Sequence, residues 1–209
     1  MITLQQNVYQ MITDFRQLDL NKRYTYADYL TWMFDERVEL FKGWVKEMSP
    51  APNMSHQRIS WNLSGEISQY LKGRSCAAFS APFDVRLIGK SKSKKAKDNN
   101  AVYTVVQPDI CIICDHEKLD ERGCIGAPDW IIEIVSPGNT KKEIDDKYSI
   151  YEENGVREYW IIQPTDETVT VFDLKNNKYQ FRKIYNNIDK ASVGIFTGFE
   201  IELPEVFRK

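Results

Sequence analysis

The stretch that most restricts the fold runs from Asp129 to Val135 (D-W-I-I-E-I-V), the most apolar segment of the chain. Nearly continuous apolar sequence of this length suits a strand buried on both faces. Turn and cap residues follow (S-P-G-N-T, 136–140), and the pattern then predicts a helix over 139–154 with Gly155 as its stop. A second buried strand is predicted over Glu158 to Ile162. Strand, helix and strand in this order and length make a crossover unit joining parallel strands.

Around this unit the sequence alternates between helical and extended patterns. Tyr26, Tyr29, Leu30 and Met33 share a helical stripe, and residues 38–48 read as two short strands turned at Lys42 and Gly43. Prolines at 50 and 52 break the pattern. A longer helix is predicted near Ser55 to Lys72, with Ile59, Leu63, Ile67, Tyr70 and Leu71 on one stripe and Gly73 at its end. Phe83 to Leu87 alternates like a half-exposed strand. Residues 102–106 and 109–113 are strand-like and separated by Pro108, while 168–174 and 179–184 form a hairpin around Asn176 and Asn177. The tail from Val193 reads as short strands. The expectation is a mixed α/β (α+β) fold: a central mixed sheet flanked by helices, with extra hairpins. An N-terminal helical arm is expected over 1–22 and a single domain over 23–209.

Composition excludes several classes. Five Trp, eleven Tyr and ten Phe need a packed interior, so the chain is not disordered. No apolar run reaches the roughly 18–20 residues of a membrane span, and the first nine residues lack the basic and apolar regions of a secretory signal. A cytoplasmic location with no membrane partner is therefore expected. The formal net charge of −2 argues against coating nucleic acid by bulk charge. Charge is uneven, however: Lys90, Lys92, Lys94, Lys95 and Lys97 crowd one polar run, read as a solvated loop, with a DNA-touching finger as the sharper alternative.

Four cysteines stand at 76, 111, 114 and 124. Cys111 and Cys114 have a C-x-x-C spacing, but they lie in a β-branched segment where residues three apart point to opposite faces. Zinc and redox motifs place such a pair on a turn or helix start. Buried, unpaired thiols in a reducing compartment are the expectation, with a thiol or zinc protein as the weaker reading.

Two acids stand where apolar residues belong. Glu133 is in the middle of the most apolar strand, and Asp109 opens its own strand after Pro108. A carboxylate in such a place costs several kcal/mol unless it is paired or holds a cation. A buried ion pair would explain either acid alone. If the two strands are neighbours, both acids converge, and Mg²⁺ takes oxygen ligands while leaving positions open for substrate phosphates. On the following helix, Ile144, Tyr148 and Tyr151 define the buried stripe, and Lys147 falls within it, roughly 60° from Ile144. Near carboxylates such a lysine stays charged, and it can orient water or offset charge on a phosphate.

Pro108-Asp109, Glu133 with Ser136 and Pro137, Asp146-Lys147, Tyr151, Gly155 and Glu158 to Trp160 together resemble the Uma-type restriction endonuclease family. That family, formerly a domain of unknown function, belongs to the PD-(D/E)XK nuclease superfamily. Glu39 to Gly43, Met48 to Pro50 and His56 match its usual opening, and the resemblance spans roughly Tyr24 to Phe207. It implies a restriction-endonuclease-like fold, with Asp109 and Glu133 as ligands of Mg²⁺ or Mn²⁺. The superfamily's E-x-K would place a lysine at position 135, where this chain has Val135; Lys147 on the next helix is the substitute it suggests. His56 occupies a region where the superfamily supplies a further residue around the metal. Gln163 ends the next strand where relatives carry Asp, and its amide either bonds within the site or caps the strand. The reading is a Mg²⁺-dependent DNA endonuclease, and the alternative is an inactive nuclease-like scaffold that binds DNA or a protein partner. Cutting both strands needs two sites, so a homodimer is expected.

Overall fold

The computed structural model describes residues 11–48, 53–89 and 98–209. Its elements, in chain order, are α1 (Tyr26–Tyr29), β1 (Val38–Phe41), β2 (Trp44–Glu47), α2 (Met54–Leu71), β3 (Ala77–Ser80), β4 (Asp84–Leu87), β5 (Thr104–Val106), β6 (Ile110–Ile113), β7 (Leu119–Asp120), β8 (Gly123–Ile125), β9 (Trp130–Ile134), α3 (Lys141–Asn154), β10 (Glu158–Gln163), β11 (Thr168–Lys175), β12 (Lys178–Asn186), β13 (Lys190–Ser192), β14 (Glu200–Glu202) and α4 (Leu203–Val206).

The crossover unit forms as the pattern requires. β9 and β10 pair in parallel, with Trp130 opposite Glu158 and Ile134 opposite Ile162, and α3 connects them. Thr140 caps the start of α3 by accepting the Glu143 N–H, and Gly155 ends it at φ 91°, a left-handed conformation that suits glycine. These strands lie inside a six-stranded sheet ordered β12-β11-β10-β9-β6-β3. A second six-stranded sheet runs β2-β1-β5-β4-β8-β7, and β13 and β14 pair separately. Pro108 marks the point where the chain leaves one sheet for the other: β5 belongs to the second and β6 to the first.

Alternation along β9 then divides the interior. Trp130, Ile132 and Ile134 pack with Ile59, Leu63 and Ile67 of α2 and with the C-terminal segment around Phe199 and Phe207. Ile131 points the other way, into a core with Val85, Val106 and Cys124 of the second sheet and Ile150 and Tyr151 of α3. Period-two geometry puts Glu133 on this second side, facing α3. The outer face of the second sheet is covered by Leu18, Tyr24 and Tyr26.

Residues 1–10 and the lysine-rich run at 90–97 lie outside the described residues; the described part of the arm, 11–22, holds a 3-10 turn at Phe15–Gln17. β4 is not half-exposed, because Arg86 is buried with Val85 and Leu87, its charge held by Asp120 at 2.5 Å. Cys76 and Cys114 are not free thiols but form a disulfide. The β3–β6 ladder pairs Ala77 with Ile113, so one further step sets Cys76 opposite Cys114. Cys111 and Cys124 are buried and free, and Cys111 faces away from Cys114, as strand alternation demands.

Candidate active site

β6 and β9 are antiparallel neighbours, with Ile110 opposite Ile132. Continuing that register by one residue brings Asp109 level with Glu133. Asp109 Oδ2 accepts the Ile134 N–H at 2.8 Å and lies 3.2 Å from His56 Nε2. His56 reaches it from the first turn of α2. Glu133 Oε1 accepts from the Tyr151 hydroxyl at 2.5 Å and from Lys147 Nζ at 3.0 Å. Lys147 and Tyr151 are one helical turn apart on α3, which lets both reach one oxygen.

Four of the five residues expected in a site therefore meet: Asp109, Glu133, Lys147 and His56. They line one small cavity of about 60 Å³ with Arg37, Gln107 and Glu143. Gln163 does not join them. It ends β10 and faces a separate, larger cavity.

Glu39 is the residue that the sequence reading left without a role. Its side chain is buried in β1, its Oε1 lies 3.4 Å from Lys147 Nζ, and the same oxygen accepts the Gln107 N–H at 2.8 Å. The signal was available: Glu39 is an acid inside an apolar strand, V-E-L-F, as Glu133 is in W-I-I-E-I. Arg37 joins through Gln107, donating to its Oε1 at 2.7 Å. Nothing in the spacing of these two residues marked them.

Acid exceeds base in this pocket. Burial pushes the Glu133 carboxyl up to about 7, opposed by Lys147 and reinforced by Asp109 and Glu39. Burial works against the charge on Lys147, but Glu133 and Glu39 outweigh it and hold the ammonium above its ordinary value. His56 is likewise raised: burial lowers it, and the Asp109 carboxylate overcomes that. Among the described residues, hydrogen bonds fall on one oxygen of each acid, Oδ2 of Asp109 and Oε1 of Glu133. The second oxygens are the available donors. Two hard carboxylates with excess negative charge fit Mg²⁺ or Mn²⁺, which need few protein ligands and keep water and phosphate in the remaining positions. Among the described residues no three His, Cys, Asp or Glu groups gather into a protein-only metal cage. The C-x-x-C pair, split by a disulfide and by strand alternation, supplies no metal site.

The structure resembles a crystal structure described as "a putative nuclease belonging to DUF820" from Anabaena variabilis, with a TM-score of 0.66 and 20% identity, covering 88% of this chain and 97% of that one. The likeness shows a shared nuclease-like fold. Over 148 residues the chain is 25% identical to "Uncharacterized protein slr1290" of a Synechocystis strain, covering 69% of this chain and 71% of that protein. No helix among the described residues is long and apolar enough to cross a membrane. The family described as "Uma2: Putative restriction endonuclease" matches residues 26–204, most of the chain, and the protein belongs to it.

Proposed function

We propose that this protein is a divalent-metal-dependent DNA endonuclease whose working residues are Asp109, Glu133 and Lys147. One observation carries the reading: two carboxylates level on paired strands, each with a spare oxygen, beside a buried lysine. Asp109 and Glu133 would hold Mg²⁺ or Mn²⁺, which when bound supplies a water of lowered pKa and positive charge at the phosphate. Each residue contributes through its own bonds. The Ile134 N–H and His56 fix the Asp109 carboxylate, and Tyr151 fixes Glu133, which leaves each acid one oxygen for the ion. Lys147 keeps its proton between Glu133 and Glu39. Its ammonium is then available to orient the attacking water or to bond a phosphate oxygen as charge develops. The lysine thus does from α3 what Val135, just past β9, cannot do.

The test is nicking of supercoiled plasmid in Mg²⁺ or Mn²⁺ beside a Glu133→Ala variant. The variant should lose more than the ~10–100-fold that outer partners of metal ligands cost. Equal nicking by both proteins would overturn the reading. One observation favours a second reading, an inactive scaffold: Lys147 is already held by two acids. Calorimetric titration with Mn²⁺ separates them, since a scaffold whose acids serve only the ion pair would take up no metal.

A further inference from the structure

Beside the catalytic pocket lies a cavity of about 650 Å³. Ser136 and Asn139, in the loop between β9 and α3, border both. Ile59, Val135, Ile144 and Phe207 give the larger cavity apolar walls, and Arg58, Lys141 and Gln163 give it polar ones. Arg58 Nε is buried with no hydrogen-bond partner among the described residues. That atom is closed off from solvent, so an occupant meets Arg58 as a positive charge in the cavity wall. Lys141 is an exposed cation at the rim, bonded to Asp145, and the rim also carries Glu167 paired with Lys209.

These walls restrict the occupant. A free phosphate would leave the apolar walls facing water, and a hydrocarbon would cover the Arg58 and Lys141 charges without pairing them. A nucleotide meets both demands: a flat ring against the apolar walls, and ring acceptors or phosphate oxygens toward Arg58 and the Gln163 amide. The volume lies within the usual range for small organic ligands. Position fits as well. Val135 is two residues beyond Glu133 on the same side of β9, roughly 7 Å away. A strand with one phosphate at Asp109 and Glu133 therefore brings its neighbouring nucleotide to the cavity mouth. A base in a duplex is covered on both faces by its neighbours, so it enters a concave site only out of the stack.

We propose that this cavity binds one unpaired nucleotide beside the phosphate to be cut, so that the substrate is DNA with an unpaired base there. The proposal rests on the nuclease reading for the place of that phosphate, but it is tested without cutting. Fluorescence anisotropy in EDTA compares a single-stranded oligonucleotide, a duplex with a one-nucleotide bulge and the fully paired duplex. Each unpaired form should bind at least about tenfold more tightly than the paired duplex. Thr165→Trp adds bulk at the mouth from an exposed turn position, and Arg58→Ala removes the positive charge from the wall. Both variants should keep the wild-type melting temperature and bring the preference within about twofold. Equal binding of the three DNAs by the wild type, or a preference that survives in either variant, overturns the proposal. Plasmid nicking in Mn²⁺ is scored separately: nicking without the preference defeats the nucleotide site alone, whereas the preference without nicking supports that site and defeats the nuclease reading.

Discussion

Glu133 and Glu158 are both acids in buried strands, they flank the same helix, and each has a cation beside it, yet they are satisfied very differently. Glu158 accepts from Trp160 Nε1 at 2.8 Å, Arg182 at 3.0 Å, the Gly194 N–H at 3.1 Å and the Ile195 N–H at 2.8 Å, with bonds on both oxygens. Arg182 is in turn shared with Asp173 and with the Ser192 carbonyl. Gly194 permits the close packing, because a Cβ there would fall on the Arg182 guanidinium. Among the described residues Glu133 has only Lys147 and Tyr151, both on one oxygen, with two more acids close enough to repel it. A buried acid that serves the fold is surrounded by donors. Glu133, held on one side and left open on the other at a cost in stability, has the arrangement that the proposed metal chemistry asks for.

The largest expected effect is at the saturated acid. Glu158→Ala leaves the Trp160, Gly194 and Ile195 N–H groups and part of the Arg182 charge without an acceptor. Urea denaturation should show a loss of about 3–5 kcal/mol, the usual consequence of breaking a buried pair. A loss below about 1 kcal/mol would mean that water replaces those bonds, and the contrast with Glu133 would fail.

At Glu133 the comparison predicts a gain on metal addition. Mn²⁺ at a hundred times its dissociation constant should stabilise the wild type by about 2.7 kcal/mol and leave Glu133→Gln unmoved, as read by thermal melting. Without metal the same pair of proteins gives a pH signature. The folded chain holds the Glu133 proton more tightly than an unfolded carboxyl near 4.5. Its stabilising contribution is full below that value and is lost as the pH rises through about 7. The stability of wild type minus Glu133→Gln should therefore fall across pH 4.5 to 7. A flat difference would show that Lys147 fully compensates the charge.

Periodicity and misplaced charge made much of this legible in the sequence. The β9–α3–β10 unit followed from an apolar run, a Thr140 cap and a Gly155 stop, and the two acids stood out because their neighbours are apolar. Lys147 was readable because helical geometry puts it on the stripe with Ile144 and Tyr151. What escaped depended on long-range pairing. Cys76 meets Cys114 only through the β3–β6 register, and Arg37 meets Gln107 across 70 residues of sequence. Neither relation leaves a mark within a short window. Arg86 made β4 look half-exposed, since a lone arginine reads as a solvent residue until Asp120, in another strand, is known to be its partner.

The smallest expected effect is the most discriminating. The Tyr151 hydroxyl is the only neutral donor to Glu133 among the described residues, and it favours the charged carboxylate. Tyr151→Phe removes that bond and leaves the ring among Ile150, Tyr159 and Ile161, so the fold should lose only about 1 kcal/mol. The acid should then hold its proton to higher pH. If Glu133 must be ionised for nicking, the acidic limb of the pH–rate profile shifts toward alkaline values while the rate well above that limb changes little. A tyrosine that merely packed α3 against the sheet would lower stability without moving the limb. An unchanged limb would therefore assign Tyr151 to the same class as Trp160, a donor that holds the fold and not the chemistry.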